Sequence, residues 1–362
     1  MRQRQSYLAK GIMFASIIYM TAAMIISPIG SINAAKVALK VCADSVIPAL
    51  FPFIFCGNML IALGAARIAG RCFSKIMYPL FKVSGAGGLA LALGAVSGYP
   101  VGAVCAASLY TSGECSKTEA EKLLVFCNNS GPMFIIGAVG IGMLNNYRLG
   151  IFLYIIHILS AIICGVILRN YNKNYTEKLL PPAYEDAELK TAALDIGAAV
   201  VKSVNSILLI CGFIIIFAVF IGVLPEFPFR SYLYATLEIT GGISALLRES
   251  SVNTLPLLSF FIGFSGVSVL AQVYAVTKPS GLSIKPYIIG KMLQGIIAFS
   301  LTYFTMIISQ VGDETVLQVF NNNLFNPSPK FIFMHSIITI GYLIIAATIV
   351  TAIIRIYANY NK

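Results

Sequence analysis

The sequence is poor in charged residues: only 11% of its 362 residues are Asp, Glu, Lys or Arg, whereas 58% are hydrophobic. A soluble domain carries about 25% charged residues, so the chain is expected to be an integral membrane protein. The formal net charge is +11, but the basic residues lie in short polar segments between apolar runs, where they orient a membrane protein. No basic cluster with interleaved aromatic residues predicts nucleic-acid binding.

Motifs for common catalytic and metal sites are missing as well. The chain has no phosphate-binding G-x-x-x-x-G-K-[ST], no H-E-x-x-H and no G-x-S-x-G. Its eight cysteines form no C-x-x-C pair, so they are expected to act as small buried hydrophobic residues rather than as disulfides or zinc ligands. We therefore expect no enzyme activity, no metal and no cofactor.

Long apolar runs define the predicted fold class, which is an all-α polytopic membrane protein. A run of about 20 apolar residues is enough to cross a bilayer. The N-terminal run is interpreted as a retained span rather than a signal peptide, because it is long for the latter. Predicted spans lie near 10–28, 46–64, 149–168, 204–224, 286–309 and 332–355, a seventh near 120–144 is broken, and stretches 86–110 and 254–277 carry Ser-Gly interruptions.

Ser-Gly pairs recur in a way that indicates internal duplication. Ser97-Gly98 and Ser265-Gly266 are each followed by another Ser-Gly pair 15 residues later, and the two sets are 168 residues apart. Segments 34–46 and 192–204 also resemble each other. The predicted organisation is an N-terminal helix (1–30), repeat 1 (31–168, hairpin about 86–110), a polar linker (169–190), repeat 2 (191–355, hairpin about 254–277) and a tail (356–362).

The interrupted stretches allow two topologies. If each is a re-entrant hairpin, three spans separate the two units and the units are inverted, as in secondary transporters. If each crosses fully, the count is four and the units are parallel. The segment 67–82 places basic residues on one helical face, which predicts contact with lipid headgroups.

Polar residues at the interruptions are the predicted substrate site. Non-helical backbone at membrane depth is tolerated only inside protein or beside water, and a restarted helix offers N–H donors and partial positive charge to an anion. Ser97 and Ser265 are expected to cap the new helices. The candidates at the two Ser-Gly interruptions are Ser97, Gly98, Tyr99, Pro100, Ser265, Gly266, Ser268 and Gln272.

The broken span near 120–144 adds further candidates, Asn128, Asn129 and Ser130, which precede Pro132. They either bind substrate or only satisfy the break. Lys291 and Gln294 lie three apart, hence on one helical face. Lys291 either neutralises an anionic substrate or extends to the membrane interface. His157, like His335, is expected to be a helix–helix hydrogen-bond partner more often than a proton relay.

Three segments, "SGYPVGA" (97–103), "EAEKLLVFCNNSGPMFIIGAVG" (119–140) and "SVIPALFPF" (45–53), resemble the family of the sporulation integral membrane protein YlbJ. That family belongs to the wider nucleoside-recognition "Gate" group. The resemblance implies a fold related to the concentrative nucleoside transporters, with two hairpins and two broken helices around a central site. It also implies a place in the outer forespore membrane and movement of dipicolinic acid into the forespore.

One departure from the nucleoside transporters affects the expected substrate. Those proteins place acidic residues near the ribose and the coupling ion, whereas neither stretch assigned here as a hairpin has a carboxylate. This favours an anionic substrate such as dipicolinate, with membrane lipid as the other partner. A nucleoside or nucleobase carrier, a non-transporting membrane scaffold and assembly into a homo-oligomer stay open as alternatives.

Overall fold

A computed structural model describes residues 2–171, 195–225, 228–248 and 254–312. All regular secondary structure in these ranges is helical. The prediction of an all-α polytopic membrane protein is confirmed. The predicted span 332–355, His335, the tail and most of the linker lie outside the described residues. Helices long and apolar enough to cross a membrane are Tyr147–Asn170, Ile196–Gly222, Leu255–Ser280 and Lys285–Ile307 within the described ranges, with a fifth if the bent pair Phe14–Ile26 and Pro28–Asp44 is one span.

The first four helices lead into the first hairpin. The chain bends by 106° between the helices that end at Ile26 and begin at Pro28, and Pro28 has no N–H to leave unpaired. Gly64, in the left-handed region with φ of 79°, separates the next two helices. The elements are α1 (Arg2–Ile26), α2 (Pro28–Val41), a π-type turn (Cys42–Val46), α3 (Ile47–Ala62) and α4 (Ala65–Phe81).

The stretch predicted as the first hairpin forms two helices, α5 (Gly87–Ser97) and α6 (Val101–Thr111), which pack against each other. Their backbones approach closely at Gly94 and Gly102, where a Cβ built on Gly94 would lie 3.1 Å from the Gly102 Cα. The hairpin is followed by an interrupted helix and a long span. These are α7 (Lys117–Cys127), a π-type helix (Met133–Met143) and α8 (Tyr147–Ile167).

The second half of the chain repeats this order of elements. A long helix leads into two short helices, an interrupted helix and a span. The elements are α9 (Ile196–Gly222), α10 (Arg230–Leu237), α11 (Ile239–Arg248), α12 (Thr254–Phe264), α13 (Gly266–Thr277) and α14 (Lys285–Gly312).

The second hairpin is α10–α11, and the predicted hairpin at 254–277 is wrong. A Cβ on Gly242 would collide with the backbone of Ala235, so α10 and α11 lie side by side. By contrast, Leu255–Ser280 is one candidate span of 26 residues, and its two parts pack on different partners, α12 on α14 and α13 on α9. The left-handed residues Ser265 and Gly266 interrupt this span without reversing it.

This correction changes how the two halves correspond. The hairpin tips Gly98 and Glu238 are 140 residues apart, and the helix breaks at Ser130 and Ser265 are 135 apart. The Ser-Gly match at 168 residues therefore pairs a hairpin tip with a helix break. Each half has a helical hairpin, an interrupted helix and a long span in the same order.

Candidate functional site

The tip of the first hairpin lies directly on the break between α7 and the π-type helix. Gly98 has φ of 89°, and a Cβ there would lie 2.8 Å from the Gly131 backbone nitrogen. A Cβ on Gly131 would lie 3.1 Å from the carbonyl carbon and oxygen of Ser97. Since both positions lack room for a side chain, the tip and the break form one closely packed backbone unit.

Asn128 caps the first turn of α6 from the neighbouring element. Its Oδ1 accepts the backbone N–H of Ala103 at 3.3 Å, and its Nδ2 donates to the Tyr287 hydroxyl at 3.1 Å. The prediction that Ser97 caps α6 is wrong. Ser97 is the last residue of α5, and the residue that precedes α6 is Pro100, which follows Tyr99 through a cis peptide bond. Asn128 thus joins the hairpin, the break and α14.

Asn129 connects the break to the polar residues of α14. Its Nδ2 donates to the Phe126 carbonyl at 2.7 Å, and its Oδ1 accepts from Gln294 Nε2 at 3.3 Å. Gln294 Oε1 in turn accepts from Lys291 Nζ at 2.8 Å. Lys291 and Gln294 were predicted to lie on one helical face, and in the structure they are directly hydrogen-bonded.

Lys291 is held inside the protein rather than reaching the membrane interface. Its residue is 1% exposed, and its Nζ lies 5.8 Å from the centre of the Tyr287 ring. No carboxylate among the described residues pairs with it. A buried cation without an opposite charge is costly. The alternative of an extended, interface-seeking lysine is wrong for this conformation.

His157 on α8 holds the break from the other side. Its Nε2 accepts the backbone N–H of Ser130 at 2.9 Å, and its carbonyl oxygen accepts from Gln294 Nε2 at 3.2 Å. The sequence favoured a helix–helix partner at this position, and the ring does lie beside α14, with its Nδ1 3.5 Å from Gln294 Nε2. The structure also places the ring on the non-helical backbone of the break, and the pattern of one histidine in an apolar span carries no signal for that contact.

The second hairpin tip lies on the second break in the same way. A Cβ on Gly266, which has φ of 80°, would lie 3.4 Å from both the Ile239 nitrogen and the Leu237 oxygen. The prediction that Ser265 caps α13 is wrong, since its side chain makes no cap hydrogen bond. One turn into α13, Gln272 Nε2 donates to Ser268 Oγ at 3.4 Å, and both side chains are buried.

Two tyrosines connect the interruptions of the two halves. Tyr287 bonds to Asn128 and its hydroxyl also faces Ser265. Tyr99 at the first tip faces Ser130 and lies close enough to Glu238, at the second tip, for an electrostatic interaction. Both hairpin tips and both breaks therefore meet beside α14. Sequence reasoning did not single out either Tyr287 or Glu238 as part of a site.

The prediction that neither hairpin contains a carboxylate is wrong, because the second hairpin is α10–α11 and its tip contains Glu238. It lies at the tip of the true second hairpin, where its two oxygens accept the N–H groups of Thr240 at 2.9 Å and Gly241 at 2.7 Å. The start of α11 is therefore capped by an acidic group of its own chain. The starts of α6 and α13 carry no acidic side chain in their first turns, which makes them the more receptive ends for an anion.

Comparison with known proteins gives one informative relative. No family model and no solved structure matches the chain. The sporulation integral membrane protein YlbJ of Bacillus subtilis (strain 168) is 35% identical, and the match covers 78% of this chain and 79% of that protein. The chain belongs to the YlbJ family of sporulation integral membrane proteins.

Membership in the YlbJ family and the length of the described apolar helices lead to the same location. The chain is an integral membrane protein of a spore-forming bacterium. Among the described residues of this YlbJ-family chain, no group of three His, Cys, Asp or Glu side chains could hold a metal ion. The side chains at the site offer hydroxyl, amide, amine, imidazole and carboxylate groups.

Three buried serine hydroxyls at the interruptions have no hydrogen-bond partner among the residues that the structure describes. They are the Oγ atoms of Ser97, Ser130 and Ser265. The Tyr99 and Tyr287 hydroxyls are near Ser130 and Ser265 but do not reach hydrogen-bonding geometry with them. Buried polar groups in proteins are almost always satisfied, so these hydroxyls indicate a place where a ligand or water bonds.

Replacing Asn128 with alanine is expected to destabilise the protein. The change leaves the Ala103 N–H and the Tyr287 hydroxyl, both buried, without their partner, at a cost of about 1–3 kcal/mol for each group. The unfolding temperature of the purified protein in detergent should fall. Asn205→Ala, at an exposed position on α9, should leave it nearly unchanged, and equal unfolding temperatures for the two variants would contradict the capping role.

Proposed function

We propose that this chain is a membrane transporter that moves dipicolinic acid, a small aromatic dicarboxylate, across the outer forespore membrane during sporulation. The observation that carries the proposal is Lys291, a fully buried lysine whose side-chain nitrogen has no carboxylate partner among the described residues. An ionisable residue inside a membrane protein usually marks a substrate or ion pathway. A substrate carboxylate supplies the missing opposite charge.

The arrangement around Lys291 supports transport rather than a static contact. Interrupted helices that meet at one point, together with helical hairpins, are the building plan of many secondary transporters. Here two hairpin tips and two helix breaks meet beside α14. We further propose that the two halves are inverted repeats and that the fold is related to the nucleoside-recognition group and the concentrative nucleoside transporters.

The chemistry of dipicolinate matches the polar groups at this point. One carboxylate pairs with Lys291, and the other accepts hydrogen bonds from the unpartnered serine hydroxyls near the two breaks. The aromatic ring faces Tyr99 and Tyr287, whose rings offer an apolar surface and a polar edge. The first turns of α6 and α13 add partial positive charge to the same place.

A nucleoside or nucleobase is the second candidate substrate, and Glu238 is the observation that favours it. An acidic group at a hairpin tip is suited to the hydroxyl groups of a ribose. Both Glu238 oxygens already accept backbone N–H groups, so a nucleoside would compete with the cap of α11. For this reason we favour the anionic substrate.

The direct test is transport by the purified chain in liposomes. Labelled dipicolinate should enter in a saturable manner, unlabelled dipicolinate should compete, and nucleosides should not. Liposomes without protein give the background. Saturable nucleoside uptake that dipicolinate does not inhibit would overturn the proposal in favour of the second candidate. Absence of uptake for both compounds would favour a membrane protein that only recruits partners.

A further inference from the structure

We infer that the transporter carries a proton together with its anionic substrate, and that His157 Nε2 is the atom that binds the proton. The inference rests on the proposed anion transport and adds the coupling ion. It starts from the contacts of His157, which is 1% exposed and lies between the first helix break and the polar face of α14.

His157 is neutral in the observed conformation. The Ser130 N–H donates to its Nε2 at 2.9 Å, and a ring nitrogen accepts a hydrogen bond only when it carries no proton. The proton of the neutral ring is then on Nδ1. Gln294 Nε2, 3.5 Å from Nδ1, directs its own protons to Asn129 Oδ1 and the His157 carbonyl. The ring thus has one basic nitrogen, Nε2, and its hydrogen bond with Ser130 holds the break.

Lys291 opposes protonation of His157 until an anion is bound. The two residues are joined through Gln294, whose Oε1 accepts from Lys291 Nζ at 2.8 Å. Two positive charges this close in a site of low polarity repel strongly. A dicarboxylate is doubly negative at neutral pH, because carboxyl groups titrate near pH 4. One negative charge of the dicarboxylate therefore offsets the positive charge of Lys291. The other negative charge favours protonation of His157.

Protonation of His157 changes the contacts of the break. A proton on Nε2 turns this acceptor into a donor, so the hydrogen bond from the Ser130 N–H is lost. The neighbouring Gly131 packs on the first hairpin tip at Gly98. Proton binding and the position of the break are therefore linked. On the acidic side the proton binds to Nε2 and forms an N–H bond, and on the other side this bond breaks and the proton leaves. No other covalent bond forms or breaks.

The neighbours of His157 leave few other groups for this role. Among the described residues, the other titratable groups nearby are Tyr287 on α14, Cys127 on α7, and Tyr154 and Cys164 on α8, and phenols and thiols lose protons only above neutral pH. The π-type helix and α12, which also pack on α8, contain no titratable residue. Helix α4 reaches α8 near Gly165, eight residues or about 12 Å along the helix from His157.

The experiment uses the full chain in liposomes that contain a pH-sensitive dye, with the membrane potential clamped at zero. Addition of dipicolinate outside should acidify the interior, and an acidic exterior should accelerate labelled uptake. If wild-type uptake is saturable but neither acidifies the interior nor responds to the pH gradient, the proton inference is overturned while the proposed function stands. If no dipicolinate enters under any gradient, the proposed function itself fails.

His157→Gln separates a coupling role from a structural one. The glutamine oxygen can still accept the Ser130 N–H but cannot bind a proton at neutral pH. The ratio of uptake with and without the pH gradient should fall to one, and the acidification should be lost. Tyr154→Phe on the same helix, which loses only a hydrogen bond to the Ala95 carbonyl, should keep both. If the His157→Gln protein still moves protons together with dipicolinate, the inference is overturned. If that variant does not fold, the dye measurement on the wild-type protein tests the inference.

Discussion

Lys291→Met is expected to abolish dipicolinate binding and transport while the protein stays folded. Removing one partner of a buried charge pair costs about 3–5 kcal/mol, which corresponds to a loss in affinity of about 100-fold or more at about 1.4 kcal/mol for each factor of ten. Methionine fills a similar volume without the charge. Binding of labelled dipicolinate to the detergent-solubilised protein measures the effect, and uptake into liposomes should fall in parallel.

The stability of the same variant distinguishes a binding lysine from a structural one. Since Lys291 is buried and no carboxylate in the described part of the chain pairs with it, its removal should leave the unfolding temperature unchanged or raise it. Lys285→Met is the matched control, because Lys285 begins the same helix but is exposed, and it should bind dipicolinate like the unchanged protein. A Lys291→Met protein that is less stable but binds normally would contradict the proposed site.

The fold class could be predicted from the sequence, because long apolar runs and few charged residues are typical of a chain that crosses a bilayer. The first hairpin also followed, since Ser97, Gly98 and Pro100 are residues that a helix interior disfavours. The second hairpin was misplaced for a physical reason. Its tip at Leu237 and Glu238 has no glycine or proline, and the turn is made by one extended residue with a carboxylate cap.

The candidate residues were identified better than their roles. The polar residues of the break and of α14 do lie together, because a buried polar group in a membrane needs a polar neighbour. Local sequence rules assign caps within one helix, so they missed that Asn128 caps α6 from another element. The contact of His157 with Ser130 joins residues 27 apart, and nothing in the spacing of either one predicts it.

Gly102→Ala is expected to be among the most destabilising single substitutions in the first hairpin. A Cβ at this position would collide with the Cys127 carbonyl oxygen, and Gly94 meets the same oxygen from α5. Backbone atoms cannot move aside as a side chain can, so the hairpin must separate from the end of α7. Overpacking costs about 1–3 kcal/mol or more, which lowers the unfolding temperature of a chain of this length by about 1–4 °C or more.

Gly212→Ala on α9 is the matched control for this prediction. A Cβ there meets nothing within 4 Å, and alanine is favoured over glycine in a helix interior by about 0.5–1 kcal/mol. The unfolding temperature should rise slightly for Gly212→Ala and fall for Gly102→Ala. Equal shifts would show that the hairpin does not depend on close backbone contact with α7. Because the same contact region holds Asn128 against Ala103, loss of stability in Gly102→Ala should be accompanied by weaker dipicolinate binding.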